Sequence, residues 1–440
     1  MFFRRDVRQI ISLLFMISLV FGFSGFYVDG DFLSFPPYFP VIFLVLLFIV
    51  SVNFKESFYN SSTFVLFVCL FFILISITFD RDVISIKRLF LVFGVGAAVF
   101  LCASMSRFPE YMFKSFFYAV IALLSLSLLW IVFLYFFGET SIFPPDGGEY
   151  YRSIRFDGGS YGYLVSLRKI FYLDQIFNRP SGLTANANTI SVYSVLSIIL
   201  GFNFLKDKWI RFIFVFISIV LFLLSFSRGG FVFLISSLVF LHLFFNGKKS
   251  ILCIFVVLIF CVPIVMSFFI VADDFGFVGF RVFNANIVMG EEILADPSRF
   301  SVWRLVLHSF LSNPFGGVGF GLVQEKVIQP LGIISSAHSV PFTILAELGV
   351  FGFVIMYVLW LTPIIVLIRK RAKNPLLNAI IAALLAGLFV HQCFDSSVLR
   401  YHPFNYIFFL LSGAAFNPCL YIKEVDKSEQ EMPTRGSEKA

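Results

Sequence analysis

His338 opens a long apolar run, "SSAHSVPFTILAELGVFG" (335–352). An imidazole titrates near neutral pH, so at such a place it can take a proton from a hydroxyl group. Its plainer role would be to cap or solvate a helix start. Four arginines accompany it: Arg179 in "NRPSGLTANAN", Arg228 in "SFSRGGF", and Arg299 and Arg304 in "SRFSVWRLVLHS". A guanidinium stays charged and grips phosphate oxygens through two parallel hydrogen bonds. At a membrane edge it also serves by snorkelling to headgroups. Arg228 stands out, because a charge inside an apolar hairpin is directed at a polar cavity or the bundle interior. Arg299 and Arg304 lie five positions apart, about 140° around a helix, and so face different partners. Arg299 is preferred, with Trp303 at i+4 as its interfacial anchor.

Other polar residues offer alternatives. Glu347 lies nine residues past His338, about 14 Å along a helix and on its opposite face. An intramembrane carboxylate must be paired, protonated or turned inward, so Glu347 reads as structural. His391 and Asp395 in "HQCFDSS" are four apart and share a helix face. They are acceptor-side candidates or a buried hydrogen-bonded pair. Asp29 with Asp31 ("VDGDF") and Asp80 with Asp82 ("FDRDV") are paired carboxylates that could hold a divalent metal beside a diphosphate. As loop acids they read equally as solvated turn residues. "NPFGGVGFG" (313–321) is not a dinucleotide fingerprint, since the third glycine position is Leu322 and no strand precedes it. Its glycines make a tight turn whose N–H groups could meet phosphate or glycan oxygens. No Cys/His spacing suggests zinc.

The elements that must carry these residues are membrane helices. Of 440 residues, 59% are hydrophobic and 13% charged, against about 25% charged in soluble domains. Apolar runs long enough to span a bilayer recur throughout. Twelve spans are expected, near 9–27, 37–54, 63–79, 89–105, 115–137, 185–204, 210–227, 229–245, 250–271, 339–368, 375–395 and 403–422. The fold class is thus an all-α polytopic membrane protein, a single transmembrane domain over 1–422. The first span, basic then apolar, reads as uncleaved. The six cysteines fall in or beside apolar segments, which predicts no disulfide framework.

The net charge of +7 sits in short clusters between spans. With both termini inside, the inner segments hold more than half of the 33 Lys and Arg residues, as the positive-inside rule requires. These clusters read as topology signals and lipid contacts, with no nucleic-acid partner. Two long outer loops remain, about 138–184 and 272–338. The second contains an expected amphipathic helix, about 297–312, capped by Asp296 and Pro297 and ended by Asn313-Pro314. Phe300, Trp303, Leu307, Phe310 and Leu311 recur on it at helical spacing. The tail, 423–440, is polar and expected to be disordered.

In this order, "RPSGLTANANT", "SFSRGG", "SRFSVW", "NPFGGVGFG" and "AHSVPFTILAELGVFG" resemble the O-antigen ligase/polymerase family of bacterial inner-membrane proteins. The motifs span about 178–352, and the twelve-span layout extends the likeness to the whole chain. The resemblance implies a glycosyltransferase C-type bundle in the inner membrane. It implies transfer of a glycan from undecaprenyl diphosphate to a hydroxyl at the periplasmic face, with no metal, nucleotide or other cofactor. The acceptor would be lipid A-core for a ligase, or another lipid-linked repeat unit for a polymerase. Membrane lipids and other polysaccharide-assembly membrane proteins are the remaining expected partners. Arg179, Arg228, Arg299 and Arg304 would hold the diphosphate, and His338, Arg228 and Arg299 would carry the catalysis. Ser339 follows His338 where many relatives have Asn.

Two rival classes share these features. A lipid-linked oligosaccharide flippase or transporter also fits twelve spans, though it calls for charges along a path through the membrane. A metal-dependent glycosyltransferase would use the Asp pairs. Ligase and polymerase share every motif visible here, so sugar, linkage, stereochemical outcome, acceptor and oligomeric state stay open.

Overall fold

The computed structural model describes residues 10, 13–17, 19–21, 25–28, 31–34, 93–106, 108–137, 183, 187–225, 227–245, 299–331, 337–370, 372–394 and 403–421. They are mostly helical. A short antiparallel hairpin, β1 (Gly25–Val28) with β2 (Asp31–Ser34), departs from the all-α expectation. Val28 pairs with Asp31, so part of the first acid pair belongs to a strand. Asp29, Asp80 and Asp82 lie outside the described residues, as do the spans expected at 37–54, 63–79 and 250–271.

Nine α-helices follow among the described residues: α1 (Val95–Met105), α2 (Pro109–Phe137), α3 (Ala187–Phe204), α4 (Lys208–Leu224), α5 (Arg228–Phe245), α6 (Arg299–Ser312), α7 (Val340–Arg369), α8 (Pro375–Gln392) and α9 (Pro403–Ala415). Within α2, α7 and α8, the stretches Pro109–Val132, Val340–Arg369 and Pro375–Gln392 are long and apolar enough to cross a membrane. Their starts follow local chemistry. Pro109 and Pro375 stand where a helix needs no N–H. Asp207 accepts from Trp209 and Ile210 N–H at 2.8 and 3.0 Å, and Asn374 accepts from Leu377 N–H at 3.1 Å.

The helices pack as small-residue seams, the pattern that lets backbones approach within an apolar solvent. On α5 and α8, a Cβ added at Gly387 would stand 2.0 Å from Ser237 Oγ. On α9 and α1, Gly413 sits against the Phe100 carbonyl and Gly96 against the Phe409 ring. Between α3 and α4, Ser218 donates to Ser197 Oγ at 2.9 Å. α4 turns the other way on its outer side, where Trp209 is 78% exposed beside exposed Phe212, Phe216 and Leu223. Such a stripe suits lipid and would be costly in water.

α7 is two helices joined at a break. Gly349 has φ 66° and ψ −165°, a region that essentially only glycine occupies. The glycine turn after α6 plugs this break. Val318 N–H donates to Ala346 O at 2.8 Å, Gly319 N–H to Glu347 O at 3.0 Å, and Val350 N–H to Pro314 O at 2.8 Å. Contact is backbone to backbone: a Cβ on Gly317 would lie 2.4 Å from the Glu347 carbonyl, and one on Gly349 would lie 2.5 Å from Pro314 O. A second small core gathers here from Val302, Trp303, Val306, Leu307, Ile328 and Phe342. Phe320 roots the turn in the main bundle, its ring 5.7 Å from that of Phe93.

Gly349→Ala therefore combines backbone strain of about 1–3 kcal/mol with a clash against fixed backbone of similar size. The expected outcome is a clearly lowered melting temperature in detergent and reduced membrane abundance. A variant that melts like the parent would contradict the break.

Candidate functional site

His338 sits in a short strap just before α7. Its neighbours Ala337 and Ser339 are buried, 3% and 1% exposed, while His338 itself is partly exposed. His338 also has φ 45°, a left-handed conformation that costs a residue with a Cβ roughly 1–2 kcal/mol. The peptide groups on both sides are held. Trp303 on α6 donates its indole N–H to the Ala337 carbonyl, and its ring lies 4.9 Å from that of Phe342 on the first turn of α7. Thr343 donates to the Ser339 carbonyl through its hydroxyl at 2.6 Å and through its N–H at 3.0 Å.

Arg228 is the first residue of α5, and the cap before it explains why the helix begins there. Ser227 Oγ accepts from Gly230 N–H at 3.1 Å, three residues into the helix. The same hydroxyl donates to Asn188 Oδ1 at 3.0 Å. Asn188 is the second residue of α3, so one serine ties two helix N-termini together. The aligned peptide dipoles of these two helix starts make this edge attractive to an anion. The two glycines after Arg228 permit the packing. A Cβ on Gly230 would stand 2.5 Å from Ser191 Oγ on α3, and one on Gly229 would stand 2.8 Å from His391 Nε2 on α8.

His391 is fully buried, at 0% exposure, between the Phe233 and Phe404 rings, with Gln392 Nε2 2.9 Å from its Nδ1. His391 packs against the turn that begins with Arg228. Next to it, Gln392 borders a narrow apolar groove with Val340, Pro341, Tyr357, Trp360 and Phe389. The groove connects the end of α8 to the start of α7. The starts of α5 and α7 therefore flank the end of α8 at one end of the bundle.

The remaining candidates divide clearly. Arg299 is the first residue of α6, and Arg304 lies further along it, partly buried. The side chains of Arg228 and Arg299 lie outside the described residues, as do Arg179 and Asp395. Glu347 is turned inward, 3% exposed, and its Oε1 accepts from Val323 N–H at 3.4 Å. Two expectations are corrected. Trp303 is 3% exposed and belongs to the second core, so it anchors nothing at the membrane interface. The buried stripe of α6 is Val302, Trp303, Val306 and Leu307, while Leu311 is 58% exposed. The amides of the glycine turn are not open to a ligand at Val318 and Gly319, because the carbonyls of α7 take them. Ser227, Asn188 and Gly349 were missed as organising residues. The small residue before "RGG" and the glycine inside a long apolar run were the available signals.

Residues 213–357 match the family model described as O-antigen ligase. The matched stretch contains Arg228, Arg299, Arg304, His338 and Glu347, and it bears out the resemblance to the O-antigen ligase/polymerase family. A comparison with curated proteins found no match.

The Gly229 contact yields a paired test. Gly229→Ala places a methyl against an enclosed ring, which should cost about 1–3 kcal/mol and lower the melting temperature. Gly201→Ala in α3 meets only ordinary contacts at 3.8 Å and should be neutral or stabilising by up to about 1 kcal/mol. Equal melting temperatures for the two variants would refute this packing.

Proposed function

We propose that this protein transfers a glycan from undecaprenyl diphosphate to a hydroxyl acceptor at the periplasmic face of the bacterial inner membrane, as O-antigen ligases and polymerases do. The family match over 213–357 supports glycan transfer of this type in surface polysaccharide biosynthesis. The observation that carries the finer reading is local. Within that stretch, a histidine in a strained strap and an arginine at a doubly supported helix N-terminus stand at one end of the bundle.

In this mechanism the acceptor oxygen attacks the anomeric carbon of the donor sugar. The bond from that carbon to the diphosphate oxygen breaks, and undecaprenyl diphosphate leaves with the bonding pair. Arg228 and Arg299, with Arg179, neutralise the departing charge, aided by the N-termini of α3 and α5. His338 accepts the proton of the attacking hydroxyl. The bilayer holds the donor's lipid, so much of the positioning entropy is lost before reaction. Lipid A-core or a second lipid-linked repeat unit supplies the hydroxyl.

Arg228→Ala should lower the transfer rate by about 10²–10³-fold, as loss of one charge-stabilising donor does elsewhere. His338→Ala should lower it comparably and flatten the pH–rate profile. With the parent, the rate should fall towards acid pH, because only the neutral ring accepts a proton. Purified protein, lipid-linked donor and a hydroxyl acceptor suffice for the measurement. Full activity of Arg228→Ala at normal abundance, or an unchanged profile for His338→Ala, would refute the assigned roles.

A further inference from the structure

Trp303 stands apart from every role so far given to an arginine or a histidine. It is a buried aromatic on α6, yet its only polar atom reaches into the strap and takes the carbonyl one residue before His338. Its ring faces Phe342, four residues after His338. One side chain therefore touches the chain on both sides of the imidazole. This matters because His338 is held at φ 45°, and such a conformation persists only where its surroundings over-determine it. Thr343 secures the following carbonyl from within α7, whereas Trp303 secures the preceding one from a different helix.

We propose that Trp303 is a positioning residue for transfer: its indole N–H fixes the peptide before His338, and thereby aims the imidazole at the acceptor hydroxyl. The inference rests on the reading of His338 as the base. It adds that α6 serves two groups at once. Arg299 begins this helix, and Trp303 follows one turn later. A rigid α6 thus sets the separation between a diphosphate-binding arginine and the proton acceptor. Placement errors of about 1 Å cost roughly 10²-fold in rate, so a hydrogen bond of this kind can govern catalysis without touching a substrate. Packing alone would need only the ring. Positioning needs the N–H.

The test separates ring from N–H. Trp303→Phe keeps an aromatic against Phe342 and removes the donor. Replacement of Trp303 by 3-benzothienylalanine keeps the full bicyclic shape and puts sulfur in place of the N–H. Both proteins are purified full length in detergent and assayed with lipid-linked donor and hydroxyl acceptor across pH. The expected result is a fall of about 10- to 100-fold in kcat, little change in donor KM, and a displaced or blunted acidic limb in the pH profile. The benzothienyl protein should match the parent in melting temperature. Parent-like kcat and pH profile in the benzothienyl protein would overturn the inference. So would a loss confined to Trp303→Phe, which would assign the residue to packing. His338→Ala run alongside distinguishes the two levels. If it is fully active, the base reading itself fails; if it is inactive while the benzothienyl protein is normal, only the role of Trp303 fails.

Discussion

A broken helix in an apolar surrounding needs partners for the peptide groups that the break releases. α7 breaks at Gly349, and the partners are the main chain of the turn after α6: Val318 and Gly319 N–H for the carbonyls of Ala346 and Glu347, and Pro314 O for Val350 N–H. Backbone pairing at this distance tolerates no side chain, which explains glycine at both 317 and 349. The docking joins α6, the turn and the first half of α7 around their own small core. The position of His338 depends on it, since the residue stands at the free end of that half-helix and its strap is held from α6.

The other half of the site is assembled by different means. α5 begins at Arg228 because Ser227 caps it, and the capping hydroxyl simultaneously reaches Asn188 on α3. Gly229 and Gly230 then let this first turn settle between α3 and α8. The end of α8 is common to both halves: His391 abuts the α5 turn, and Gln392 borders the groove that reaches Val340 and Pro341. The bundle thereby brings residues more than a hundred positions apart to one end.

Much of this was legible in the amino-acid sequence because lipid simplifies the reading. Apolar runs became α2, α3, α5, α7 and α8 within a few residues of their expected bounds, since the periodicity and length of such runs leave few alternatives. The helix at 299–312 was visible from its stop at Asn313-Pro314. The break inside α7 was not, because hydropathy reports on side chains and is blind to a backbone torsion. Trp303 was misplaced for a related reason. A tryptophan beside a membrane usually marks the interface, and only the fold of the following turn shows that this one is covered. The amides of the glycine turn were misjudged because their partners lie on a helix thirty residues away in sequence. The short hairpin at 25–34 escaped notice inside an apolar context that reads as helix.

In the proposed mechanism the starts of α5, α6 and α7 address one substrate. An experimental structure of the full chain in a lipid nanodisc with a lipid-linked diphosphate donor bound decides this. The diphosphate is expected within about 3 Å of the Arg228 and Arg299 guanidinium groups, hydrogen-bonding distance, with the His338 imidazole opening onto the same chamber beside the anomeric carbon. A donor seated elsewhere, with these three groups facing separate surroundings, would contradict it.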